Sequence, residues 1–73
     1  MAASTEELTN ALDAALITAR AEYRQAVIEL AECEAGKASS PNREPANVDH
    51  IHHARTRVIA LEAAREELSH TPL

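Results

Sequence analysis

Apolar positions in the first half of the chain fall at Leu8, Leu12, Leu16, Ala19, Tyr23, Val27 and Leu30, spaced 4-4-3-4-4-3 with no interruption. On an α-helix that spacing draws one nearly straight stripe. Ala14, Ile17, Ala21 and Ile28 make a second stripe on the opposite side of the same helix. In the second half Ile51, Ala54, Val58, Leu61, Arg65 and Leu68 are spaced 3-4-3-4-3, a heptad-like seam whose one defect is Arg65. Val48 and Ile59 widen that face on one flank. Two amphipathic segments joined by a polar stretch predict an all-α antiparallel helical hairpin. A helix apolar on two sides needs two neighbours, and this chain supplies one, so the pattern also predicts a homo-oligomeric bundle.

Local signals place the ends. Ser4 caps the first helix and Glu7, three residues on, completes a capping box, with Glu6, Glu7 and Asp13 near the positive end of the helix dipole. Gly36, the one glycine, is expected to end that helix in a left-handed conformation. The expected organisation is one domain over 1–73: helix 5–35, loop 36–47, helix 48–69 and a short tail 70–73. Residues 36–47 hold two of the three prolines and no large aliphatic side chain, which reads as a solvated connection. Asn47 is the expected cap of the second helix, with Ala46 and Ile51 at the hydrophobic-staple positions.

The two seams differ in period. The first repeats every eleven residues and the second every seven, so little supercoiling is expected and the alanines favour close approach.

Composition sharpens the need for a partner. Seventy-three residues fall below the size at which one core usually suffices. Sixteen residues are Ala, Tyr23 is the one aromatic, and Leu, Ile and Val together number fourteen. The net charge of −5 argues against a nucleic-acid binder, and no apolar run is long enough for a membrane span. The N-terminus MAASTEEL lacks the pattern of a secretory signal, and Cys33 is alone, so a cytoplasmic, reducing setting is expected.

Candidate chemistry is sparse. Asp49 and His53 share a helix face, His52 lies nearby, and Cys33 can be drawn into a mixed metal site across the hairpin, although no established zinc spacing is present. The simpler reading is that His50, His52 and His53 face the acids at the end of helix one (Glu29, Glu32, Glu34), where protonation would tune association. Arg20, Tyr23 and Arg24 could bind a small anion or nucleotide at an oligomer interface; the simpler reading is a core Tyr with solvated arginines. Arg65 is expected to snorkel or to pair with Glu62. Glu6, Glu7, Glu62, Glu66 and Glu67 gather at the open end, as a solvated face or as a docking surface for a basic partner.

No nucleophile–base pair or glycine-rich phosphate loop is present, and acidic neighbours make Cys33 a poor nucleophile. An enzyme is not expected and no cofactor is implied. The expected function is a self-associating interaction module that binds or regulates another protein, with Ala14, Ile17, Ala21 and Ile28 as the oligomer interface. A small-anion sponge and a virion or assembly component are the alternatives. By genre such hairpins are common among phage and mobile-element proteins, an analogy that leaves function open.

Overall fold

Thr5–Lys37 forms α1 and Asp49–Ser69 forms α2 in a computed structural model that describes residues 4–37 and 47–71. The chain is an all-α helical hairpin. Residues 38–46, and with them Ala46 of the expected staple, lie outside the described residues.

The start of α1 follows its sequence signal. Ser4 Oγ accepts the Glu7 backbone N–H at 3.1 Å, and the Ser4 carbonyl accepts the Leu8 N–H at 3.0 Å. That satisfies one of the donors a helix start leaves open, and Glu6 and Glu7 add acidic charge in the first turn. The end of α1 is a correction. Gly36 has no positive φ and lies within the helix, which runs to Lys37. No left-handed residue is required where the chain keeps helical geometry through the glycine.

At the start of α2 the Asn47 side chain accepts the Asp49 N–H at 2.8 Å, and the first helical bond runs from His52 to the Val48 carbonyl. Asn47 therefore caps from just outside the helix, as an Asx turn does. At the far end Ser69 Oγ and Thr71 Oγ1 donate to the carbonyls of Glu66 and Glu67, each at 2.7 Å. The Glu67 carbonyl also accepts the His70 N–H at 3.1 Å, so side-chain and backbone donors together close the last turn.

Cross-helix pairs establish the antiparallel arrangement: Asp13 with Arg65, Arg20 with Glu62, and Glu29 with His50. They set a register in which Ala19 is level with Leu61 and Ala26 with Ala54. The buried residues are Leu16, Ala19, Ala26, Ala54 and Val58, and Tyr23 and Leu61 pack against the Leu16–Ala19–Val58 cluster.

This core changes the reading of α1. Leu8 and Val27 are 37% and 42% exposed, whereas Thr9 is half-buried and Ala26 is buried. The covered seam is therefore Thr9, Leu12, Leu16, Ala19, Tyr23, Ala26 and Leu30, spaced 3-4-3-4-3-4. Its period is seven, the same as that of α2, and the eleven-residue reading is corrected. One neighbouring helix covers only a narrow stripe, and two helices stay in contact over many turns when their stripes share a period. Val48 and Ile59 are likewise exposed and do not widen the buried face.

The result is a rod of 59 × 17 × 15 Å. Its radius of gyration, 17.4 Å, far exceeds the roughly 11 Å expected for a compact domain of this length. Little of the surface is remote from solvent, which is why the core holds few side chains.

Candidate functional site

Along the covered seam the hairpin has two lateral flanks, both ionic. On one, Arg20 Nη2 lies 3.5 Å from Glu62 Oε2, and Arg65 Nε donates to Asp13 Oδ1. The hydrogen bond and the charge of Asp13 raise the Arg65 pKa, so this guanidinium stays charged throughout the working range. Arg65 thus fills the heptad defect by reaching across to α1, not by pairing with Glu62 on its own helix. On the other flank His50 Nδ1 lies 3.0 Å from Glu29 Oε2, and Gln25 Nε2 donates to the same carboxylate at 3.5 Å. The expected juxtaposition of the His-rich start of α2 with the acidic end of α1 is thus present at His50. All of these groups are exposed, where ion pairs add little stability and chiefly select register.

Two shallow depressions open on these flanks. One, about 160 Å³, is lined by Ala26, Glu29, Leu30, Cys33, Asn47, His50 and Ile51. The other, about 200 Å³, lies between Tyr23 and the first turns of α2, with Val48, Ile51, His52 and Arg55. Small-molecule sites run to about 300–1,000 Å³ and enclose most of their ligand, so neither depression has that form.

The candidate metal ligands do not converge. Cys33 lines the first depression and His52 the second, on opposite flanks of the hairpin. The His52 and His53 rings lie edge to face with centroids 6.3 Å apart. Among the described residues no three His, Cys, Asp or Glu side chains are grouped so as to hold a metal ion.

The candidate anion site is likewise dispersed. Arg20 is engaged by Glu62, Tyr23 is half-buried against the core, and Arg24 is exposed beyond the depression that Tyr23 lines. The basic side chains beside Tyr23 are instead Arg55 and His52 of α2. Sequence reasoning missed this pairing because it requires the cross-helix register. Once Ala26 is set level with Ala54, Tyr23 and Arg55 fall within a turn of each other.

The acids at the open end are partly engaged: Glu62 by Arg20, and Glu66 by His70 Nε2 at 3.0 Å. What remains is apolar. Ala14, Ile17, Ala21 and Ile28 are all exposed on the side of α1 turned away from α2. Ile17 is 71% and Ile28 43% accessible, so two large aliphatic side chains share one uncovered stripe. Among the described residues no helix is long and apolar enough to cross a membrane.

Comparison with protein-family models, with curated proteins and with solved structures finds no match. The functional argument therefore rests on this chain's own geometry.

Proposed function

We propose that the protein is a non-enzymatic interaction module, a helical hairpin that self-associates and binds or regulates a protein partner. The observation that carries this reading is the uncovered stripe on α1. Ile17 and Ile28 stand in solvent on a helix whose other face already holds the hairpin together. Large aliphatic side chains left in solvent along one face of a helix are where association is sought. A chain of this size also gains from a second copy the burial that its own core lacks. The small size and open form of the depressions, about 160 and 200 Å³, favour this reading over a small-anion binder.

Size-exclusion chromatography with light scattering tests it. The wild type is expected to elute as a dimer or higher oligomer, and Ile17→Asp with Ile28→Asp is expected to remove that state. A wild type that stays monomeric at high micromolar concentration would show the reading to be wrong.

A further inference from the structure

We propose that the depression between Tyr23 and the first turns of α2 docks a segment of another protein carrying a carboxylate beside a large aliphatic side chain. This rests on the interaction-module reading and adds to it the place and the chemistry of the partner contact. The depression joins two kinds of lining: Val48 and Ile51 are aliphatic, His52 and Arg55 are basic, and Tyr23 closes the α1 side. Its volume is about 200 Å³. An apolar cavity of about 150 Å³ holds benzene, so the space admits one aliphatic side chain and little more.

Charge states what the site lacks. Arg20, Arg65, His50 and His70 each lie against a carboxylate of this chain. Among the described residues Arg55 and His52 have no acidic partner, and the Tyr23 hydroxyl has no hydrogen bond. Arg24 and Arg57 are also without a carboxylate there, but they line neither depression. A carboxylate can take the guanidinium fork of Arg55 and accept the phenolic hydrogen of Tyr23. An aliphatic neighbour in the same segment would cover Val48, which is 53% exposed.

The setting also selects among anions. A free carboxylate on an exposed arginine is screened and weakly held. A nucleic acid would bring many phosphates against a chain of net charge −5. A protein segment brings one or two charges together with apolar contact, which matches a site offering both.

Tyr23 is the one Tyr in a chain without Trp or Phe, so its emission reports on this depression. The probes are the blocked peptides Gly-Glu-Leu-Glu-Gly, Gly-Lys-Leu-Lys-Gly and Gly-Glu-Ser-Glu-Gly, titrated to millimolar concentration at low salt. Only the first should change Tyr23 emission saturably. Arg55→Gln, with helix content retained by circular dichroism, should weaken that binding several-fold, and Arg57→Gln should leave it as in the wild type. No saturable change, an equal response to either other peptide or to sodium acetate, or an equal loss in Arg57→Gln would overturn the site.

Light scattering on the same samples keeps this proposal apart from self-association. An oligomeric wild type that ignores the peptides loses the docking site and keeps the oligomer, and a monomer that binds them does the reverse. Loss of the oligomer in Arg55→Gln would make a second copy the occupant and overturn docking of another protein.

Discussion

α1 carries two seams of the same period, and among the described residues only one is covered. The inner seam is closed by α2: Leu16 is 3% exposed and Ala19 fully buried. The outer stripe, Ala14, Ile17, Ala21 and Ile28, keeps the 3-4 spacing with Arg24 at its one polar position, and leaves Ile17 at 71%. Spacing is therefore insufficient to decide what a helix face does. What separates the two is the complementary stripe of α2, held in register by ion pairs at Asp13, Arg20 and Glu29. The covered face explains the fold, and the uncovered face is where function is proposed to reside.

The comparison breaks most visibly at Leu16. Leu16→Ala is expected to cost about 2–5 kcal/mol, comparable to the whole stability of a chain this small, and to abolish cooperative melting by circular dichroism. Ile17→Ala, one position away, should leave a monomer's stability within about 0.5 kcal/mol. In an associating chain it should instead weaken the concentration dependence of the melting temperature. Equal effects of the two substitutions at every concentration would erase the distinction between the seams.

Substitutions away from both seams supply the baseline. Ser4→Ala removes the acceptor for the Glu7 N–H and should cost about 1 kcal/mol in urea unfolding. Gly36→Ala should add about 0.5–1 kcal/mol, because the position is helical and a Cβ there meets nothing within 4 Å. Least of all is expected from pH acting on Arg65. Its folded pKa is raised, so its contribution is complete below the guanidinium's ordinary range and fades only as pH climbs through the raised value. Between pH 5 and 9 Arg65 should therefore add no slope to stability. A slope in that window that Arg65→Gln removes would contradict the assignment.

Much of the hairpin was legible in the sequence. The Ser4 cap, the α2 seam of Ile51, Ala54, Val58, Leu61 and Leu68, and the pairing of acidic with His-rich ends follow from local pattern and charge. The α1 seam was misread at two positions, and the cause is instructive. At each step the larger apolar residue was favoured, Leu8 over Thr9 and Val27 over Ala26. A single facing helix selects by angle, not by size, and admits Ala readily where backbones approach. The Arg65 partner and the Tyr23–Arg55 proximity were not readable, because both depend on register, which no single helix encodes. Gly36 misled for a related reason: glycine permits a left-handed end without compelling one.

The level at which Ala26 meets Ala54 has a dynamic consequence. Two buried alanines at one level place little side-chain bulk between the Leu16–Ala19–Val58 cluster on one side and Leu30 with Ile51 on the other. Few dispersion contacts bridge that level, so the two halves are only loosely coupled. Amide hydrogen exchange should resolve them as separate opening units. The half holding Leu30 and Ile51 should exchange first, unzipping toward Ala26 and Ala54 while the half around Leu16 stays closed.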